Sequence, residues 1–517
     1  MKKYTLIYAT ILAVAVSFTA CEDWVTEQTP GTTKLEDFFT SGETAIAITN
    51  GAYVPLQWEY NKTFYSEWFI GDVVSDDALK GGQTIDDMAA VYDMENFKTI
   101  SNNDFLLDFY RGQYQGIGRC NLALQEVSKM SPDDIMTAKI QNRLIGELKF
   151  LRALYYFRLV RVFGDIPLVT EPVLSSADWK QKYVPAADVY SQIISDLEDA
   201  NKTLWKKSEY AATDLGRATK GAAQAMLLKA NLYTHNYPEA KKWGDSIIAS
   251  NEYRLIDDYA DNFTLAGENG AESVFEIQYT VDATSDWGDG AAGGNGFTRG
   301  TFTTIEVRSR SSSLGGGYGF NKPTQNLYDE FETGDPRRDA SILNPTDNQI
   351  ENPNEEIYLG SRYLNRKYGM YDAAGKAIAL THDSRGPLNN KVIRYADVLL
   401  MYAEACVETN DLAAAKNALE QVRARARGTE SILPVFPYSS YADNQDDLRK
   451  AIRHERRVEL AMEGHRWFDL CRWGVAKEVM NAYRASETDE VRTHMNEFVD
   501  GNELFPIPSK EIDLNPR

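Results

Sequence analysis

Apolar residues recur at helical spacing over most of the chain. Leu35, Phe38, Phe39, Ala45, Ile46 and Tyr53 fall near that period between about 34 and 56. The same pattern runs through 104–130, 139–163, 186–204, 218–234 and 238–250, and it returns from 391 to Tyr483. Gly164-Asp165-Ile166-Pro167 punctuates the second of these, because proline cannot continue a helix. Ser273 to Thr280 alternates and is rich in β-branched and aromatic residues, which predicts a strand. Two stretches break the helical pattern. The first, about 57–103, holds Trp58, Tyr60, Phe64, Tyr65 and Trp68, then the acidic run Asp72, Asp76 and Asp77, with Lys80 beyond. The second, 282–326, is Gly- and Ser-rich with scattered aromatics and too long for a passive connector. The expectation is a mainly α fold. Its helical scaffold would span about 34–56, 104–250 and 391–517, carrying variable regions at about 57–103 and 270–390 with a few short strands.

Two helix pairs look alike. Leu227 to Ile247 turns at His235-Asn236-Tyr237, and Leu400 to Val422 turns at Asn410-Asp411-Leu412. In the second, Ala403, Ala415 and Val422 fall where a tetratricopeptide repeat places small and aliphatic contacts; in the first, Leu228 takes the small position. Generic helical hairpins fit this spacing equally well.

The first residues carry an address. Lys2 and Lys3 precede an uncharged run from Tyr4 to Val16, shorter than the roughly 20 residues needed to cross a bilayer. The run ends Ser17-Phe18-Thr19-Ala20-Cys21, and Phe18 disfavours an ordinary signal-peptidase cut after Ala20. The stretch fits a bacterial lipobox, so residues 1–20 are expected to be removed and Cys21 lipidated. Acyl chains there would anchor the protein stably. Residues 22–33, polar with a Pro-Gly break, read as a tether to a single domain over 34–517.

Composition narrows the function. Cys120, Cys406 and Cys471 remain besides Cys21, too few for a disulfide framework and without a CxxC pair, so they read as small buried hydrophobes. A formal charge of −21 argues against nucleic acid, whose phosphates would be repelled. No HExxH, GxSxG or GxxxxGK[ST] pattern occurs, and the Gly288, Gly290, Gly293 motif opens onto another Gly-rich loop instead of a helix. No cofactor or metal site stands out; Asp72, Asp76 and Asp77 could hold calcium but fit a solvated acidic loop better. Among 76 acidic residues no carboxylate pair is singled out for glycoside hydrolysis, so catalysis is not expected.

Four blocks occur in a telling order: Glu147-Leu148-Lys149-Phe150-Leu151-Arg152-Ala153-Leu154-Tyr155-Tyr156-Phe157 with Phe163-Gly164-Asp165-Ile166-Pro167; Arg394 to Ala405; Glu455-Arg456-Arg457-Val458-Glu459-Leu460 with Gly464 to Gly474; and Phe505-Pro506-Ile507-Pro508. With them the chain resembles, nearly end to end, the SusD/RagB family of nutrient-binding outer-membrane lipoproteins of Bacteroidota. The resemblance implies a tetratricopeptide-like scaffold, attachment to the outer membrane facing the cell exterior, and a SusC-like TonB-dependent transporter as partner. The ligand would be an oligosaccharide or polysaccharide. Peptide capture, as in the RagB branch, is the alternative, and a surface glycoside hydrolase a remote third.

Within the recognition blocks, Arg152, Asp165, Glu455, Glu459, Arg466, Asp469 and Arg472 lie among apolar helix positions, so they are expected to pair at helix junctions. Trp467 and Trp473 read as core. Sugar recognition needs exposed aromatic faces edged by planar polar groups, placed on loops above a rigid scaffold. Candidate ligand contacts are therefore Trp58, Trp68, Asp72 and Asp77 from the first variable region, and Trp287, Asn295, Arg308 and Tyr318 from the second, with Asp286, Phe297, Arg310 and Asn321 nearby. Trp287 and Tyr318 are the favoured platforms, whereas Trp68 reads equally as platform or core.

Overall fold

A computed structural model describes residues 39–58, 66–281, 300–382, 385–429, 433–438 and 440–516. The long helices are α1 (Gly42–Tyr53), α2 (Asp104–Lys129), α3 (Ala138–Phe163), α4 (Ala186–Thr203), α5 (Lys220–Tyr233) and α6 (Tyr237–Ala249). After the variable middle come α7 (Tyr395–Glu408), α8 (Leu412–Arg427), α9 (Gln445–Glu459), α10 (Arg466–Arg472), α11 (Ala476–Ser486) and a last short α12 (Ser509–Leu514). Their starts are chemically marked. The side chains of Asn103, Thr137, Thr219, Asp411 and Asn444 each accept a backbone N–H of the first turn that would otherwise have no partner.

Neighbouring helices pack in sequence from α2 to α6, and α7 packs on α6 as well as on α8, which joins the two halves of the scaffold. The α5–α6 and α7–α8 hairpins are the two repeat-like pairs. Ala403, Ala415, Val422 and Leu228 are all fully buried. Cys120 and Cys406 are buried, and Cys471 is partly so.

The middle departs from pure loop. Asn390–Arg394 is a strand, not the start of a helix, and pairs antiparallel with Ser273–Ile277 from Ser273 opposite Arg394 to Ile277 opposite Asn390. The periodicity alone missed this pairing because five half-apolar residues suit either element. Ala78–Gly81 pairs with Phe320–Pro323, so backbone hydrogen bonds join the two variable regions. No helix of the described residues is long and apolar enough to cross a membrane.

The recognition blocks are held by buried ion pairs. Arg337, 0% exposed, reaches Asp335 at 2.7 Å, Glu455 at 2.5 Å and Glu459 at 3.1 Å. Arg394 meets Glu272 at 2.6 Å, Glu459 at 3.1 Å and Glu463 at 2.7 Å. Arg423 pairs with Glu455, and Arg425 bridges Glu272 and Glu459. Burial alone would raise the pKa of Glu459, but Arg425, Arg394 and Arg337 outweigh it and hold the carboxyl at about 2. Arg456 bridges Asp397 and Asp469, Arg472 joins Asp469 to Glu404, and Arg152 holds Asp196. Asp165 accepts the backbone N–H of Ala186 at 2.9 Å. Trp467 is 1% exposed, and the indole of Trp473 donates to Glu404 at 3.0 Å.

Removing Glu459 by Glu459→Ala leaves three arginines short of a carboxylate in a dry interior, which is expected to cost about 3–5 kcal/mol. The thermal unfolding midpoint should fall by several degrees. Lys477→Ala, which breaks an exposed pair with Asp500, should scarcely move it. Equal midpoints for the two variants would refute the assignment.

Candidate functional site

The two candidate segments meet at their roots. On one side the Gln57 amide donates to the carbonyl of Gln278 at 2.6 Å. On the other, Ser66 donates to Glu306 at 3.3 Å and the Trp68 indole to Thr303 at 3.4 Å. The described residues that flank 59–65 and 282–299 are thereby tied to one another. Tyr60, Phe64, Tyr65, Asp286, Trp287, Asn295 and Phe297 lie outside the described residues, as does Cys21.

Beside these ties is a cavity of about 100 Å³ whose lining includes Trp58, Trp68, Tyr279 and Asn390 together with Arg158, Arg161, Lys229 and His465. Trp58 is half-buried, with the Arg119 guanidinium 5.1 Å from its ring centre. Glu67 takes both Arg158, at 2.9 Å, and Arg161. Lys229 pairs with Asp397 at 3.3 Å. Burial pushes the His465 imidazole down to about 3, so it stays neutral beside these cations. Arg158 and Arg161 were not legible as site residues. Their one signal is a pair of cations three residues apart in the otherwise apolar run Phe157 to Phe163.

Trp68 belongs to the core edge: it is 9% exposed, with its ring centre 3.9 Å from that of Phe69. Phe69 continues to Phe320 at 5.9 Å and Phe320 to Tyr318 at 6.4 Å, so a row of rings links Trp68 to the partly buried Tyr318.

The structure gives three further candidates scaffold contacts. Arg308, 3% exposed, donates to the carbonyls of Gly369, Met370 and Ile378. Asp77 pairs with Arg457 at 2.8 Å, and neighbouring Asp76 takes Arg466 at 2.8 Å and Arg457 at 2.9 Å. Burial would raise Asp76, yet Arg457 and Arg466 hold it at about 2. Asp72 accepts the Gly464 N–H at 2.8 Å and the Asn321 amide at 3.1 Å. Gly71 permits this contact: a Cβ there would sit 2.1 Å from the Gly464 carbonyl oxygen. Lys80, fully buried, donates to the carbonyls of Gly81, Thr84 and Asp87, and burial pulls it down to about 8. Arg310 is partly exposed and donates to the Tyr318 carbonyl at 3.1 Å. Among the described residues no group of three or more carboxylate, thiol or imidazole side chains is arranged to hold a metal.

This geometry sits in a recognised frame. A family model described as "SusD family" matches residues 271–517, and one described as "Starch-binding associating with outer membrane" matches residues 32–232. The chain belongs to the SusD-like family. SusD-like protein P25 of Formosa agariphila is 26% identical, over 96% of this chain and 94% of its own. A solved laminarin-binding SusD-like protein superposes with a TM-score of 0.77 at 29% identity, covering 92% of this chain and 98% of its own. Surface glycan-binding protein A of Bacteroides fluxus superposes with a TM-score of 0.75 at 25% identity, covering 92% and 97%. The scaffold is thus the SusD-like fold, mostly helical with short strands in small sheets.

Asp72 makes a test of the junction. Burial lifts its carboxyl from the ordinary 3.8 to about 7, against the Asn321 and Gly464 donors. Between about pH 4 and 7 the unfolded chain therefore loses this proton while the folded one keeps it. Stability should fall with rising pH across that window, by up to about 1.4 kcal/mol per unit, and level off above it. The side-chain oxygen of Asn321 has no hydrogen-bond partner, so a flipped amide can accept from the neutral acid while its nitrogen turns away. Asp72→Asn should lack the slope, so its thermal midpoint should gain on the native protein from pH 4 to 7. Parallel pH curves would reject the buried-acid assignment.

Proposed function

We propose that this SusD-like protein captures an oligosaccharide or polysaccharide at the cell surface without changing it covalently. It then passes the ligand to a SusC-like TonB-dependent transporter. In this reading Cys21 carries the lipid anchor and the outer membrane is its site of attachment. The observation that carries the reading is the tie between the two aromatic-bearing segments, made by Gln57 with Gln278 and by Trp68 with Thr303. It ties together the described residues that flank both segments, and in this reading Trp58 and the second segment share one rim. The laminarin-binding structure at 29% identity supports a glycan, and laminarin, a β-glucan, as the first one to try. Trp58 is the proposed stacking platform in the described part and Trp287 its partner from the second segment. Asn295, Tyr318 and Arg310 would supply edge contacts. Asp72, Asp77 and Arg308 keep scaffold roles in this reading, because a ligand would have to displace contacts that already satisfy them.

The chain from Glu22 onward should be retarded in affinity gels containing laminarin, and Trp58→Ala or Trp287→Ala should weaken the association at least about tenfold. No new reducing ends should appear on prolonged incubation. Absence of retardation by laminarin and by a panel of plant, host and microbial polysaccharides would overturn glycan capture, and steady release of reducing ends would revive a hydrolase.

A further inference from the structure

A second groove lies on α2, formed by that helix, the segment 167–181 and α12. Its volume is about 690 Å³, several times that of the cavity under Trp58. Its floor is one stripe of α2, with Arg111, Gln115, Gly118 and Leu122 spaced four, three and four residues apart. Arg111 and Gln115 are exposed, and their side chains make no hydrogen bond among the described residues. Gly118 is unusual: it stands mid-helix, where glycine is unfavourable, yet a Cβ there would meet nothing within 4 Å. No packing demand explains it. Its effect is to leave the floor open.

The wall carries Trp179, 69% exposed, beside Val173 and Leu174. That wall is fixed in place. Arg152 donates to the Thr170 carbonyl, Asn121 donates to the carbonyls of Val169 and Glu171, and the Gln181 N–H donates to Asn515 after α12. At the inner end Tyr110 is 3% exposed, and its hydroxyl has no hydrogen-bond partner within 3.5 Å, with Tyr114, Tyr183 and Glu511 surrounding it more loosely. The charged lining, Arg111 and Arg119 against Glu171 and Glu511, balances.

We propose that this groove is a second binding site for a neutral oligosaccharide, separate from the rim at Trp58. An exposed indole offers a face for the C–H side of a sugar ring. The guanidinium and amide of the floor, with the Tyr110 hydroxyl at the inner end, offer donors and acceptors for sugar hydroxyls. An apolar protein surface laid into the same groove would leave those groups without partners. The balanced charges favour a neutral chain over a polyanion.

The test uses the mature protein with neutral hexasaccharides of β-1,3-glucose, β-1,4-glucose, β-1,4-xylose and β-1,4-mannose, titrated by calorimetry. At least one should bind in a way that Trp179→Ala and Gly118→Leu each weaken at least tenfold. Gly118→Leu enters open space and replaces a mid-helix glycine, so its thermal midpoint should be no lower than native, and loss of binding cannot then be loss of fold. Binding weakened by Trp58→Ala alone would sink the second site and keep the first. No hexasaccharide whose affinity responds to Trp179→Ala or Gly118→Leu would overturn the proposal outright.

Discussion

A guanidinium taken out of water must find carboxylates, and this fold is organised around that demand. Arg337, Arg394, Arg423 and Arg456 are each at most 2% exposed, and each is met by acids from other parts of the chain. Coulomb attraction in a dry interior only roughly offsets desolvation, so such pairs add little net stability when complete. Their effect is geometric: leaving any one charge without a partner is costly, so few alternative packings are tolerated. Glu272 ahead of Phe275, Arg394 at the end of its strand and Glu459 at the end of α9 are thereby forced to one point.

The same constraint reaches the first candidate segment. Arg457 and Arg466, from the helical block at the C-terminal end, hold Asp76 and Asp77 of the first variable region. The Gly464 N–H holds Asp72 a few residues away. With the pairing of Ala78–Gly81 to Phe320–Pro323, these contacts fix the region that carries Trp68, and through Thr303 and Glu306 the root of the second region.

This arrangement explains what could be read from the sequence. The helices were legible because their apolar stripes are long and their caps are local; α2 and α3 fall within a residue of the spacing that predicted them. The charged residues of the recognition blocks were legible as scaffold because they sit among Trp467, Phe468 and Leu470. The scaffold contacts of Asp72, Asp77 and Arg308 were hidden for the opposite reason. They sit in irregular segments that look solvated, and the acids that meet Arg457 and Arg466 lie some 380 residues from them in sequence. No local pattern reports a partner at that distance. Arg158 and Arg161 hid within a helix whose periodicity announced only core.

Charge sets the last constraint on recognition. A chain with a formal net charge of −21 repels anions at long range, but that field is screened within about 8 Å at physiological salt. For a neutral sugar it supplies no steering at all, so affinity must come from short-range stacking and hydrogen bonds, which operate only if rings and planar polar groups are held in place beforehand. Trp58 under the Arg119 guanidinium and Trp179 on a loop tied to α2, α3 and α12 meet that condition in different ways. Arg119 lines the same groove as Trp179 and also lies 5.1 Å from the centre of the Trp58 ring. One cation of α2 therefore borders both places where an aromatic ring is held.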